Sequence, residues 1–311
     1  MNIFANPMCK VSIKYLMIMA ALLLCATACH TRSNKRLNEM ALQDSWYALH
    51  LQWKVKTLTQ YEYIARNGEK PGAWYRKDVY NFDQDGYLQE NQIYFNQGAY
   101  QDLKQPALYL RQEYTYDNRQ NLVLKKVYAS DGHLNYRERF VYDDHNSLAR
   151  QTGVNGGGID TFRIAYQNKY NRGGQIVERR TSAGKPPKPV AKEIYTYNAN
   201  GNLETEKKYG SDPVKKNFYL LYSITSKYNG DWLLISQEKR DALAHTLSTL
   251  TYDLKGNVLK NLVKDDDGNI DNNATDVMTY EFDKRGNWTI QTVADAAGKA
   301  KTFYKREIVY Y

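Results

Sequence analysis

Tyr197-Asn198-Ala199-Asn200-Gly201-Asn202 reads as a turn between two β-strands. An Asn or Asp side chain at the first turn position can accept a backbone N–H two residues on. Two unconstrained residues follow in a type I turn. The next position commonly needs φ > 0, which Gly adopts freely and Asn tolerates. Tyr252-Asp253-Leu254-Lys255-Gly256-Asn257 and Phe282-Asp283-Lys284-Arg285-Gly286-Asn287 follow the same rule.

Looser copies extend the series. Phe82-Asp83-Gln84-Asp85-Gly86 comes first, then Tyr116-Asp117 leading to Asn121, with Gln120 where Gly would stand. Tyr142-Asp143 leads to Asn146, and Tyr170-Asn171 leads to Gly173. Tyr228-Asn229-Gly230 reads as a shortened form. Successive aromatic positions are 24–34 residues apart, room for two strands and two turns.

The flanks alternate with period 2. Tyr47, Leu49, Leu51, Trp53, Val55, Thr57, Thr59, Tyr61 and Tyr63 share one parity, which predicts a long or bent strand. Trp288, Ile290 and Thr292 alternate after the last turn, and Arg306–Tyr311 reads as a closing strand. Looser turns are expected at Val154–Gly158 and, because Pro cannot sit mid-sheet, at Lys185–Pro189. The expectation is an all-β domain over residues 46–311, an antiparallel meander of roughly 16 strands. Open sheets rarely exceed about ten strands without curling, so the long sheet should be rolled or coiled.

The N-terminus has a different character. Lys10 and Lys14 precede an uncharged run, Tyr15–Ala28, centred on Leu22-Leu23-Leu24. A membrane-spanning helix needs about 20 apolar residues, so the run fits a signal peptide, with Met1 or Met8 as start. The small residues Ala26, Thr27 and Ala28 then lead to Cys29. That pattern resembles the lipobox of bacterial lipoproteins, where the Cys thiol receives a diacylglycerol and becomes the mature N-terminus. Residues 1–28 would be a helical signal peptide, 29–45 a tether, with helix perhaps over Leu37–Ser45. The other cysteines, Cys9 and Cys25, leave with the signal peptide, so no disulfide or thiol site is expected. The resemblance implies a lipid-anchored envelope protein. His30 in place of Asp after the lipidated Cys implies the outer membrane, and the tether's lack of the acidic run that some bacteria use for surface export implies that the protein faces the periplasm.

Composition narrows the partners. Cleavage after residue 28 removes two Lys from a net charge of +9, leaving +7. The charges are interspersed along the chain, so nucleic acid is not expected. Tyrosine is abundant, at 28 residues, and suits half-buried sheet faces.

The Tyr-Asp-x-x-Gly-Asn copies resemble the YD repeats of the Rhs-type repeat families. The opening Trp53-Lys54-Val55-Lys56 and the ending from Gly286-Asn287-Trp288-Thr289 through Tyr311 are similar to repeat-bearing envelope lipoproteins of unknown function. In the large members many repeats wind into a shell around a toxin. Here Asp212-Pro213 lacks the glycine-bearing continuation of their core motif, so toxin delivery is not carried over.

No Gly-x-Ser-x-Gly elbow, His-Glu-x-x-His helix or phosphate-binding Gly loop is present, and His30, His50, His133, His145 and His245 are scattered. Asp265, Asp267, Asn269 and Asp271 have the alternate spacing of a calcium loop, but Ile270 stands where an EF-hand wants Gly. An acidic hairpin loop is the preferred reading, and no metal or cofactor is expected. The expected function is a non-catalytic, lipid-anchored scaffold binding an envelope protein or glycan. The alternative is a carbohydrate-active enzyme or glycan-binding module using aromatics and carboxylates on the concave face.

Overall fold

The computed structural model describes residues 45–96, 107–212, 215 and 217–311. The expected signal peptide, Cys29 and, Ser45 apart, the expected tether with its helix lie outside these residues.

The described residues form eighteen strands and no helix. They are β1 (Val55–Ile64), β2 (Arg76–Phe82), β3 (Leu88–Phe95), β4 (Ala107–Tyr116), β5 (Leu122–Ala129) and β6 (Leu134–Tyr142). Next come β7 (Leu148–Asn155), β8 (Asp160–Tyr170), β9 (Ile176–Ala183), β10 (Lys188–Tyr197), β11 (Leu203–Asp212) and β12 (Asn217–Tyr228). The last six are β13 (Leu234–Asp241), β14 (Thr246–Tyr252), β15 (Val258–Asp265), β16 (Asp276–Phe282), β17 (Trp288–Ala294) and β18 (Ala300–Tyr310). Each pairs antiparallel with the next. β18 then pairs antiparallel with β1, from Val55 opposite Tyr310 to Ile64 opposite Thr302. The meander is therefore a closed barrel rather than a rolled open sheet. Eight turns of the Tyr-Asp type account for sixteen strands, and β1 and β18 add the two that close the ring.

All eight turns share one hydrogen-bond pattern. At Asp253 the backbone N–H donates to the Asn257 carbonyl (2.9 Å), and the Gly256 N–H donates back to the Asp253 carbonyl (3.0 Å). The Asp253 carboxylate accepts the N–H groups of Lys255 and Asn257, both at 2.8 Å. The fourth turn position has φ > 0 in every copy: Gly86, Gln120, Asn146, Gly174, Gly201, Trp232, Gly256 and Gly286. A one-residue register shift, such as that between Thr251 and Tyr252, completes the β-bulge that this turn requires. Two expectations need correction. Gly174, not Gly173, takes the left-handed position after Asn171. The Asn229 turn is full length, because Trp232 accepts φ = 65° there.

The tyrosine before the turn reaches sideways. Tyr116 Oη donates to the Leu88 carbonyl (2.9 Å), Tyr142 to Leu122 (2.8 Å), Tyr197 to Ile176 (2.8 Å) and Tyr228 to Leu203 (2.8 Å). Each acceptor is the first residue after the preceding repeat's turn. At the junction, Tyr310 Oη donates to Asp283 and Tyr311 Oη to the Phe82 carbonyl (2.5 Å). The ring buries while the hydroxyl is satisfied by the neighbouring repeat, which explains the abundance of tyrosine.

Two strand expectations fail. Residues 47–53 alternate in sequence but form a turn followed by irregular chain before β1. Alternation alone does not distinguish a strand from a folded segment whose Leu49 and Leu51 face one core. Pro189 is not in the loop but pairs with Ser182 at the start of β10, beside a register shift where its missing N–H is tolerated.

Candidate functional site

Register sorts every strand into two faces. Leu58, Phe82, Leu88, Tyr114, Leu122, Phe140 and Leu148 form one core cluster and line the inner wall at the repeat-turn end. Residues of opposite parity, among them Lys77, Arg139, Arg150, Lys207, Glu238 and Lys264, form the outer wall. A bilayer-facing wall would need an apolar band, and a Lys or Arg at mid-bilayer costs about 2–4 kcal/mol. This wall is built for water.

Residues 45–54 fold into the mouth at the repeat-turn end. Ser45 bridges to Tyr87, and the Trp46 N–H donates to the Gly86 carbonyl (3.1 Å) while Trp46 Nε1 donates to Val55 O (2.8 Å). The Trp46 ring lies where a Cβ on Gly86 would stand, 2.5 Å from that point. Across the mouth, Asn287 Oδ1 accepts the Gln52 N–H (2.6 Å), Asn287 Nδ2 returns a bond to Gln52 O (2.9 Å), and Trp53 Nε1 donates to Arg285 O (2.9 Å). Beneath the segment Arg306 is only 6% exposed. Its guanidinium donates to Gln60 Oε1 (2.9 Å) and Leu49 O (3.1 Å) and lies 3.5 Å from the Trp288 ring centroid. Burial pushes its pKa down to about 9. Burial, followed by the Arg306 charge, also lowers the pKa of His50, which packs against Gly256.

Farther along the inner wall the surface is polar and paired. Arg76 binds Asp78 (2.9 Å), Lys208 binds Glu193 (2.8 Å) and Lys301 binds Asp276 (2.6 Å). Tyr222 Oη donates to Glu206 (2.9 Å). Burial raises the carboxyl pKa of Glu62, with the Asp78 charge adding to it. Asp78 is also raised, because burial outweighs its bond to Arg76. Glu206 is raised by burial, reinforced by Glu193. Carboxylates and tyrosines thus share the concave face, as the enzyme alternative expects, but cations compensate several of the carboxylates.

The turn residues Asp83, Asp117, Asp143, Asn198, Asp253 and Asp283 stand around one rim, each with one side-chain oxygen committed to its own turn, while the second oxygens of Asp143 and Asp283 accept Tyr170 Oη and Tyr310 Oη. The acidic loop lies at the opposite end. There Asp265 accepts the Asn269 N–H (2.8 Å), Gly268 takes φ = 84°, and Asp271 caps the N–H groups of Asn273 and Ala274. Asp265, Asp267, Asn269 and Asp271 thus belong to a hairpin turn and its continuation. Among the described residues no group of three or more His, Cys, Asp or Glu converges on a metal position. Of the histidines, His145 stacks on Tyr170 with 3.9 Å between ring centroids, and His245 pairs with Asp266 at 2.8 Å.

Sequence reasoning missed Arg306, Glu62, Asp78 and Glu206 as a lumenal group. Their parity within each strand was readable, but which strands neighbour each other across the closure was not.

No family model matches the chain, and no curated protein matches it. Among solved structures it is similar to a porin-like protein from Bacteroides uniformis, with 10% identity over 82% of this chain and 96% of that one, at a TM-score of 0.41. A DUF3836 family protein from Bacteroides vulgatus matches 30% of this chain and 87% of its own at 15% identity, TM-score 0.22. The Photorhabdus luminescens Tc holotoxin pore matches 78% of this chain and 16% of its own at 12% identity, TM-score 0.29.

Proposed function

We propose that this protein is a YD-repeat envelope lipoprotein, anchored through lipidated Cys29, whose barrel is a non-catalytic scaffold for an envelope protein or glycan. The observation that carries the reading is the inner wall. The pairs Arg76–Asp78, Lys208–Glu193 and Lys301–Asp276 offer hydrogen-bonding surface rather than a free nucleophile or base. A glycan or polar peptide is the matching ligand, with tyrosine rings for sugar faces.

Ser45, which bridges to Tyr87 at the repeat-turn end, supports one orientation of the scaffold. The sixteen residues 29–44 can reach at most about 55 Å when extended, and they lead to the repeat-turn end. That end would face the lipid, with the opposite mouth turned away. His30 after Cys29 supports outer-membrane anchoring, and the tether's lack of an acidic run supports the periplasmic side. Replacing Cys29 with Ser should abolish lipid labelling and release the protein from membranes, and labelled lipid persisting in that variant would refute the anchor.

In-cell photo-crosslinking tests the scaffold. A crosslinker at Tyr222, on the inner wall, should capture an envelope partner that the same group at Thr249, on the outer wall, does not. Equal capture from both would sink the lumenal reading. Glu62 and Asp78 favour a second reading, that of a carbohydrate-active enzyme, because both carboxyl groups are held above their usual range on one lumenal patch. Turnover of an envelope polysaccharide that Glu62→Gln abolishes would establish it in place of the scaffold.

A further inference from the structure

The outer wall is not uniform. From β5 to β9 its outward residues include Lys126, Arg137, Arg139, Arg150, Arg163 and Arg180. Lys126 stands directly opposite Arg137, and Arg180 directly opposite Lys192. Like charges opposite each other on one face are destabilising. Arg180 is relieved by Glu178 (2.7 Å), and Arg163 has Asp160 at 3.9 Å. Lys126, Arg137, Arg139 and Arg150 have no ion-pair partner among the described residues, and Arg139 and Arg150 are exposed. The contrast with the compensated inner wall is sharp. These cations are scattered in sequence, and hairpin register alone gathers them into one patch.

We propose that this basic face of the outer wall is a docking surface for an acidic polysaccharide, one carrying carboxylate, sulfate or phosphate groups along its length. This deepens the scaffold reading and rests on its glycan branch. Arg137 and Arg139 follow each other on one strand about 6.8 Å apart, and Arg139 and Arg163 lie two strands, about 9.6 Å, apart. An extended anion with recurring charges can engage several of them together. Guanidinium forks bind such groups through two parallel hydrogen bonds, so the face is selective for planar or tetrahedral oxyanions. Between Arg137, Arg139, Arg150 and Arg163 stand Val141, Thr152 and Ala165, and the nearby outer-wall rings Tyr128 and Tyr209 lie at the edges of the patch, already covered by Arg111 and Lys192. That disfavours single-stranded nucleic acid as the occupant.

The test uses the full chain with Cys29→Ser, titrated with oligogalacturonate by calorimetry. Binding that weakens with salt is expected. The variant R137Q/R139Q/R150Q/R163Q should weaken it by about tenfold or more. The variant K227Q/R240Q/K260Q/K264Q removes the same charge from another part of the outer wall and should stay within about threefold of the parent. The inference is overturned if the parent does not bind, if both variants weaken binding equally, or if an oligonucleotide or anionic vesicle binds more tightly than the oligosaccharide. Should E206Q/Y222F abolish binding while the arginine variant does not, the outer-wall site is wrong and the glycan scaffold stands, with its site in the lumen. Unchanged circular dichroism and melting of the arginine variant would exclude misfolding as the cause of its loss.

Discussion

Gly86 and Gly286 occupy the same position in two copies of one turn, with φ = 94° and 85°, yet their surroundings differ. A Cβ on Gly286 would find only Lys255 Nζ at 3.6 Å, an ordinary contact. Gly286→Ala therefore carries backbone strain alone, about 1–2 kcal/mol. A Cβ on Gly86 would lie 2.5 and 2.6 Å from atoms of the Trp46 ring, which must move. Displacing that ring forfeits burial of the order of 2–3 kcal/mol and about 1 kcal/mol for the bond from Nε1 to Val55 O. Gly86→Ala should thus cost about 4–6 kcal/mol in all. At roughly 2 °C per kcal/mol for a chain of this size, the melting temperature falls by about 8–12 °C, against about 2–4 °C for Gly286→Ala. Lys284→Ala, in the same turn without a special dihedral, should change it by little more than about 1 °C. Thermal melts by circular dichroism measure all three, and a red shift in tryptophan emission should mark the unseated Trp46 in Gly86→Ala only. Equal melting temperatures for the two glycine variants would refute the view that residues 45–54 are a packed part of the barrel mouth.

Three further outcomes follow from the same geometry. Tyr310→Phe removes the bonds to Asp283 and from Asn287 Nδ2 (2.8 Å) at the junction, and urea titration should show a loss of about 1–2 kcal/mol. Burial, aided for Tyr170 and Tyr310 by a carboxylate, raises the phenols of Tyr170, Tyr280 and Tyr310 to about 12 from 10.0. Because the folded pKa exceeds the unfolded one, their stabilisation is complete below pH 10 and is lost as pH rises towards 12. The melting temperature should fall across that window, and a flat profile would contradict it. The Glu206 carboxyl is raised above 4.5 mainly by burial, so its ionised form costs stability at neutral pH. Glu206→Gln should melt higher than the parent at pH 7, and the advantage should disappear below pH 4.5, where the parent carboxyl is protonated in both states.

Much of the fold was legible because the turn is a local device. Asp253-Leu254-Lys255-Gly256-Asn257 contains its own acceptor, its own left-handed residue and its own exit, so reading it needs no distant information. The misread copies show the limit. Trp232 takes a left-handed backbone that nothing about tryptophan announces, and adjacent Gly173 and Gly174 left the choice to register. The closure was out of reach for another reason. Val55 and Tyr310 meet across nearly the whole chain, and no local pattern states that pairing. The candidate sites suffered most. Arg137, Arg139, Arg150 and Arg163 look interspersed in the sequence, and Arg306 looks like one more charge on a closing strand. Only the register and the segment folded over Arg306 give those residues their neighbours.

The junction of β1 with β18 also sets an order in time. All eighteen strands can pair first with a near neighbour in sequence, each hairpin a fast local event on the microsecond scale. The ring is finished only when the last strand finds the first, a contact between chain ends that is entropically late. Until then two unpaired edges coexist on one nearly complete sheet, each able to recruit a strand from another molecule. Because β1 is made first and β18 last, β1 must wait for the whole domain to be made before its partner arrives. The interval before closure is therefore when this protein is most exposed to misassembly, and when a chaperone that covers a bare strand edge would matter most to it.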